Sequence, residues 1–172
     1  MINYDLNKIK AFVFDVDGVL SPESIPLHIS GEPMRIVNTK DGYAMQLAAK
    51  KGFQLCIITG GDSNAVKIRF EKLGFQHVYL KAKDKIAVFN EFLAETGLKP
   101  EEVCYAGDDI PDYEIMRVVG LPVCPADAVP EIKEIALYVS PKDGGEGVGR
   151  DIIEQVLKVQ GIWMKDDEAF GW

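Results

Sequence analysis

Two carboxylates stand one residue apart at the end of an apolar run. Residues 12–14 are followed by Asp15 and Asp17, and Gly18 then allows the chain to turn tightly. Side chains two positions apart on an extended chain point the same way, so both acids can face one site. Converging carboxylates repel each other unless a cation lies between them or one holds a proton. Both arrangements suit phosphoryl transfer, in which one carboxylate attacks phosphorus and the other protonates the leaving oxygen. An incidental acidic turn is the alternative that this motif alone leaves open.

A hydroxyl group and a lysine follow later apolar runs. Thr59 and Gly60 come directly after residues 54–58 and precede a predicted helix, where backbone N–H groups can cradle a phosphate. A plain loop is the alternative there. Lys85 lies in the first turn of another predicted helix, where a cation is poorly placed for helix stability and therefore needs an explanation.

A second acidic cluster follows the apolar residues 103–106. It comprises Asp108, Asp109 and Asp112. Mg²⁺ takes oxygen ligands and accepts few carboxylates, keeping several waters and a substrate phosphate. Asp15 and Asp108 can supply those carboxylates, whereas a helix cap is the simpler role for Asp112.

Apolar runs alternate with helical patterns along almost the whole chain. The pattern predicts strands over residues 9–14, 54–58, 77–80, 103–106, 122–124 and 136–139. It predicts helices over residues 41–51, 63–73, 84–96, 112–119, 129–135 and 148–160. This alternation predicts an α/β fold with a doubly wound parallel sheet, whose ligands bind at the carboxyl ends of the strands. Each of the polar clusters lies where a predicted strand ends.

Two segments depart from this alternation. Residues 21–40 contain three prolines and a turn signal at Ser30–Gly31, which predict a β-hairpin or flap that projects from the sheet. Residues 161–172 form a polar tail with three aromatic residues, which need a surface to pack on. Since we find no linker or repeat, we expect residues 1–172 to form one domain.

Composition excludes several classes of function. The formal net charge is −8, which disfavours a nucleic-acid partner because phosphate backbones require a basic face. The N-terminus lacks a secretory pattern and no apolar run is long enough to span a bilayer, so we expect a cytoplasmic protein without a membrane partner. We expect the three cysteines to be buried free thiols. With two histidines, a three-histidine metal site is impossible.

Taken in order, the acid pair, the hydroxyl, the lysine and the acid cluster resemble the four motifs of the haloacid dehalogenase superfamily of phosphatases. The resemblance implies that Asp15 is a nucleophile that is transiently phosphorylated and that Asp17 is the general acid/base. It further implies that Thr59 and Lys85 hold the phosphoryl oxygens. A Mg²⁺ cofactor would be bound by the Asp15 carboxylate, the Asp17 backbone carbonyl and Asp108.

The segment after the first strand holds only the flap, and the segment between Thr59 and Lys85 is too short for a cap domain. In this respect the chain resembles the capless branch of the superfamily, typified by the 3-deoxy-D-manno-octulosonate (KDO) 8-phosphate phosphatases of lipopolysaccharide precursor synthesis. That resemblance implies a small-molecule sugar-acid phosphate as substrate and a homotetramer assembled through the hairpins, in which tails reach neighbouring sites. The implied substrate-binding residues are Asp17, Asn38, Thr39, Lys40, Asp41, Gly42, Gly60, Arg69 and Lys85, and the role of Arg150 stays open.

Some positions depart from this family's pattern. Gly61, Gln46 and Glu146 stand where many members carry arginine, so positive charge is missing near an anionic substrate. A nine-carbon sugar acid, such as a deoxynonulosonate or N-acylneuraminate 9-phosphate, is therefore an alternative substrate. A signalling receiver domain is the alternative from another class, although its lysine follows its acceptor aspartate whereas Lys85 precedes Asp108.

Overall fold

A computed structural model describes residues 2–171 of the chain. Met1 and Trp172, the last aromatic residue of the predicted tail, lie outside the described residues. Six parallel strands form one sheet: β1 (Ala11–Phe14), β2 (Gln54–Ile58), β3 (His77–Tyr79), β4 (Val103–Ala106), β5 (Leu121–Cys124) and β6 (Tyr138–Val139). Six α-helices cover it: α1 (Thr39–Lys50), α2 (Asn64–Lys72), α3 (Lys85–Thr96), α4 (Tyr113–Met116), α5 (Pro130–Ile135) and α6 (Val148–Val159).

The strand order is β3-β2-β1-β4-β5-β6, which confirms the predicted doubly wound sheet. Receiver-like folds have the order 2-1-3-4-5, so the topology separates this chain from a receiver domain. The first strand therefore lies in the middle of the sheet, between β2 and β4. Phe14 pairs with Ile57 on one side and with Ala106 on the other, so the three strands end within one residue of the same level.

The sheet is buried on both faces by two separate cores. Because side chains alternate along a strand, Phe12 and Phe14 pack on one face while Ala11 and Val13 pack on the other. The first core is closed by α1, α2 and α6, and the second by α3, α4 and α5. All three cysteines are buried and free, as predicted. Within the described residues, no helix combines the length and the apolar character needed to cross a membrane.

The predicted flap folds back on itself through a single antiparallel bridge, between Leu27 and Pro33, rather than through a ladder. Gly31 turns the chain with φ +86° and belongs to the predicted turn at Ser30–Gly31. Prolines lack the N–H that a ladder requires, which explains why pairing stops at one bridge. The segment ends at Asn38, whose side chain caps α1 by accepting from the backbone N–H groups of Lys40 and Asp41. Thr39 and Lys40 therefore belong to the helix and not to the flap.

Candidate active site

The predicted site residues follow neighbouring strands at one edge of the sheet. Asp15 comes directly after β1, and Thr59 directly after β2. Asp108 comes two residues after β4. Adjacent strands lie about 5 Å apart, so the level ends of β1, β2 and β4 bring these side chains to one place.

Lys85 connects Asp15 to Asp112, a residue of the turn that follows β4. Its Nζ lies 2.8 Å from Asp15 Oδ2 and 2.7 Å from Asp112 Oδ1, and all three side chains are buried. Burial lowers the pKa of this ammonium, but the two carboxylates outweigh that effect and raise the pKa. The unfavourable position of Lys85 in the first turn of α3 is thus offset by two ion pairs.

Asp112 forms the centre of a hydrogen-bond network. It is 0% exposed. Its Oδ1 accepts from Lys85 and from the Tyr105 hydroxyl (2.6 Å), and its Oδ2 accepts from the backbone N–H of Asp108 (3.1 Å). The predicted helix cap is wrong, because Asp112 precedes α4 but its side chain makes no hydrogen bond to that helix and bonds back to Asp108 instead. The ion pair with Lys85 was missed. Since 27 residues separate the partners, the misplaced lysine was the signal that could have indicated it.

Three carboxylates meet beside this network. Oxygen atoms of Asp15, Asp108 and Asp112 lie within 4.8 Å of one another. Burial raises the pKa of Asp15 to about 6, with repulsion from Asp112 adding to the shift and Lys85 opposing it. Burial also raises the pKa of Asp108 to about 8, and the charges of Asp112 and Asp15 add to this. Lys85 alone therefore does not offset the negative charge of the three carboxylates.

Gly18 allows the close approach of Asp108 to the turn after β1. Its φ is +83°, and a Cβ atom at this position would overlap the Asp108 carboxylate. A side chain here would therefore be strained and would push the carboxylate away. The glycine after the acid pair is required by both the backbone and the site.

Asp17 has a partner that the sequence did not suggest. Arg35, near the end of the flap, donates from Nε to Asp17 Oδ1 (2.6 Å) and from Nη2 to Oδ2 (2.8 Å). The bidentate geometry makes this a strong ion pair. The available signal was that Arg35 is the one arginine of the proline-rich residues 21–40.

Thr59 and the glycines after it form a tight loop. Thr59 is buried, and its Oγ1 accepts from the backbone N–H of Gly61 (3.2 Å). Gly60 is exposed at the surface of this loop. The arrangement fits the predicted phosphate cradle.

A second group of predicted residues gathers at the start of α1. Asn38, Asp41, Gly42 and Arg69 all line one small cavity, whereas Thr39 and Lys40 are exposed in the first helical turn. Arg69 lies so close to Gly42 that a Cβ atom there would stand 2.7 Å from its Nη2. The structure thus brings four of these predicted residues together, and their contact with substrate stays a prediction.

Asp41 is buried and is tied to α6. Its Oδ1 accepts from the backbone N–H of Arg150 (2.6 Å), while its Oδ2 has no hydrogen-bond partner among residues 2–171. Burial raises the pKa of Asp41 to about 6, opposed by this bond and by the charge of Arg150.

The tail packs on the chain's own helices. The guanidinium of Arg150 lies 4.6 Å from the centre of the Trp163 ring and 5.4 Å from that of Tyr43. Lys51 pairs with Asp166 at 2.6 Å, and the Tyr43 hydroxyl donates to the Ala169 carbonyl. The tail through residue 171 therefore contacts α1 and α6 of the same chain.

Comparison with known proteins agrees with this geometry. Residues 77–152 match the model of a family described as haloacid dehalogenase-like hydrolases. The chain is also 37% identical, over 163 residues, to the 3-deoxy-D-manno-octulosonate 8-phosphate phosphatase of Escherichia coli K12, covering 95% of this chain and 85% of the relative. The chain belongs to the KDO 8-phosphate phosphatase family of haloacid dehalogenase-like hydrolases.

Solved structures of this family have the same fold. The phosphatase of Yersinia pestis aligns with a TM-score of 0.88 at 34% identity, covering 91% of this chain and 85% of that one. The phosphatase of Moraxella catarrhalis, solved in complex with magnesium, phosphate and KDO, aligns with a TM-score of 0.87 at 30% identity. That alignment covers 91% of this chain and 90% of the other.

Proposed function

We propose that this protein is a magnesium-dependent phosphatase that hydrolyses KDO 8-phosphate to KDO and phosphate. The observation that carries the proposal is the convergence of Asp15, Lys85 and Asp108 at the ends of the two central strands. We infer the identity of the substrate from the relatives named above, which are KDO 8-phosphate phosphatases.

Asp15 is suited to attack phosphorus. Its Oδ1 accepts from the backbone N–H of Val16 at 2.7 Å and its Oδ2 pairs with Lys85. The carboxylate is therefore fixed in orientation before substrate arrives, which is what positioning catalysis requires. Attack on the phosphate ester forms a bond from Asp15 to phosphorus and breaks the bond to the sugar oxygen.

Asp17 acts as general acid in the first half-reaction and as general base in the second. It gives a proton to the leaving sugar oxygen, and it then accepts a proton from the water that hydrolyses the aspartyl phosphate. Lys85 and the Thr59 loop hold the phosphoryl oxygens, and their fixed charges and dipoles favour the transition state.

The residues present fit a Mg²⁺ ion. Asp108 Oδ1 is buried without a hydrogen-bond partner among residues 2–171, and Asp108 belongs to a cluster of three carboxylates. Burial and the mutual repulsion of these carboxylates raise the pKa of Asp15 and Asp108. We assign the ion to the carboxylates of Asp15 and Asp108 and to the backbone carbonyl of Asp17, and we leave the fully buried Asp112 to its bonds with Tyr105 and Asp108. Bound there, Mg²⁺ would neutralise charge on the transferring phosphoryl group.

We assign recognition of the sugar acid to the group at the start of α1. Asn38, Asp41, Gly42 and Arg69 lie together, and an arginine fork suits the carboxylate of a ketoacid. Thr39 and Lys40 are exposed beside them, and Gly60 lies on the phosphate loop.

We further propose a cytoplasmic homotetramer in which residues 1–172 act as one domain. The flap presents apolar side chains to solvent, with Ile29 99% exposed and Leu27 70% exposed. Such a patch on a surface segment favours an interface between copies of the chain.

The test is phosphate release across a panel of eight-carbon and nine-carbon ketoacid phosphates and simple sugar phosphates, with Mg²⁺ and with a chelator. We expect KDO 8-phosphate to give the highest kcat/KM and the chelator to abolish release. A preference for a nine-carbon substrate would overturn the substrate, and equal rates on simple sugar phosphates would overturn the proposed specificity.

A further inference from the structure

The ion pair with Asp17 leaves some hydrogen-bond donors of Arg35 without an acceptor. A guanidinium has five N–H donors, and the structure assigns Nε and Nη2 to the Asp17 carboxylate. Nη1 is buried and has no hydrogen-bond partner among residues 2–171, although the side chain is only 9% exposed. An unpaired donor on a buried charged group is costly and calls for a partner.

The guanidinium lies over the phosphate loop. A Cβ atom at Gly61 would stand 2.5 Å from Arg35 Nη2, 3.2 Å from its Cζ and 3.5 Å from Thr59 Oγ1. Arg35 and the Thr59 hydroxyl therefore flank the same small space. Gly61 keeps that space open, because a side chain there would displace the guanidinium.

From these contacts we infer that Arg35 is a further substrate-binding residue, which donates to an oxygen of the transferring phosphoryl group. The inference rests on the proposed phosphatase function and adds a flap residue to its site. It also explains why Nη1 is left without a protein partner.

The ion pair between Arg35 and Asp17 restricts when Asp17 can act as the general acid. Both oxygens of Asp17 accept from Arg35 as a carboxylate, so at least one of these bonds opens and Asp17 takes up a proton from solvent before it delivers that proton to the leaving oxygen. A phosphoryl dianion beside Nη1 competes with Asp17 for the guanidinium. Substrate binding thereby frees the Asp17 carboxylate to take up the proton that it then gives to the leaving oxygen.

The experiment measures binding of inorganic phosphate by calorimetry in the presence of Mg²⁺, on the wild-type protein and on Arg35→Ala, Arg35→Gln and Arg117→Ala. A hydrogen bond to a charged group contributes enough that we expect the two Arg35 variants to bind phosphate about tenfold more weakly or worse. Arg117 is an exposed arginine over the Tyr113 ring, so Arg117→Ala removes the same charge and should leave phosphate binding unchanged.

Kinetics on two substrates separate phosphoryl binding from sugar-acid binding. With p-nitrophenyl phosphate, which has no ketoacid carboxylate, Arg35→Ala should reduce kcat/KM by a factor similar to that for KDO 8-phosphate. A loss confined to KDO 8-phosphate would overturn the assignment to the phosphoryl group. Wild-type turnover of KDO 8-phosphate tests the proposed function separately, because phosphate binding does not depend on which sugar is the substrate.

A double-mutant cycle with Gly61→Ala covers the case in which loss of Arg35 unfolds the flap. Gly61→Ala displaces the guanidinium without removing it, so we expect weaker phosphate binding in the wild-type background and little further change in Arg35→Ala. Phosphate binding as tight as wild type in both Arg35→Gln and Gly61→Ala would overturn the inference and leave Arg35 a purely structural anchor.

Discussion

Replacing Asp108 with asparagine should stabilise the metal-free protein while abolishing its activity. Burial and the neighbouring carboxylates raise the pKa of Asp108 to about 8 in the folded protein, compared with about 3.9 in an unfolded chain. At pH 7 the folded protein must therefore take up a proton that the unfolded chain lacks. Asparagine is neutral in both states and avoids this cost.

The magnitude follows from the size of that shift. Between pH 3.9 and pH 7, at 1.36 kcal/mol for each pH unit, the cost is about 4 kcal/mol, and solvent screening of this partly exposed group reduces it to about 2–4 kcal/mol. For a chain of this size the expected rise in Tm is roughly 5–10 °C. Since the folded-state pKa is the higher one, the free energy of unfolding of the wild type falls between about pH 4 and about pH 8. The advantage of Asp108→Asn should therefore grow over that interval and stay constant above it.

The assay is thermal unfolding in a chelator and again during a Mg²⁺ titration. The wild-type protein should gain stability with Mg²⁺, because a ligand that binds only the folded state stabilises it, whereas Asp108→Asn should not respond. The control is Asp109→Asn, which changes the adjacent carboxylate, an exposed one that accepts from the backbone N–H of Ile110. An Asp108→Asn variant that is no more stable than wild type in chelator, or that keeps the Mg²⁺ response, would refute the reasoning.

Three further perturbations test other parts of the account. Lys85→Met leaves Asp15 and Asp112 buried without their counter-charge, so unfolding measurements in chelator should show a loss of about 3–5 kcal/mol, and kcat should fall about 10²–10³-fold. Asp41→Asn removes a carboxyl whose pKa is raised to about 6. The difference in free energy of unfolding between this variant and the wild type should therefore increase by about 2 kcal/mol from pH 4 to pH 6 and stay constant above pH 6. Ile29→Glu places a charge on the exposed flap, and light scattering should show smaller assemblies with an unchanged Tm of the folded chain.

A specific result would contradict each of these three predictions. Lys83→Met changes an exposed lysine two residues before Lys85, and a loss of stability as large as that of Lys85→Met would discredit the buried ion pairs. For Asp41→Asn, a stability difference that does not vary with pH would show that burial does not raise its pKa. Ile68→Glu alters a half-exposed residue of α2, and dissociation by this variant but not by Ile29→Glu would place the interface elsewhere.

The centre of the fold was the most predictable part. The strands over residues 54–58 and 103–106 have the predicted bounds, because a strand buried on both faces is a continuous apolar run that polar residues end abruptly. Predictions were poorer at the periphery. The first strand begins at Ala11 rather than at Ile9, because the preceding residues form a short 3-10 turn capped by Asp5.

The site was predictable where one strand end supplies the residue, and not where two distant segments meet. Asp15, Thr59 and Asp108 follow apolar runs, so their shared edge could be inferred from the parallel sheet. The partners of Asp17 and Lys85 come from the flap and from the turn before α4, at separations of 18 and 27 residues. No local periodicity encodes such pairs, since they depend on how the flap and the turn pack against the sheet.

The most direct test of the central claim is steady-state phosphate release from KDO 8-phosphate by Asp15→Asn in the presence of Mg²⁺. An amide at this position keeps the shape of the side chain but cannot form the aspartyl phosphate, so we expect no release above background from a protein with a normal circular dichroism spectrum. Release at the wild-type rate would contradict the assignment of Asp15 as the nucleophile and, with it, the proposed chemistry of the site.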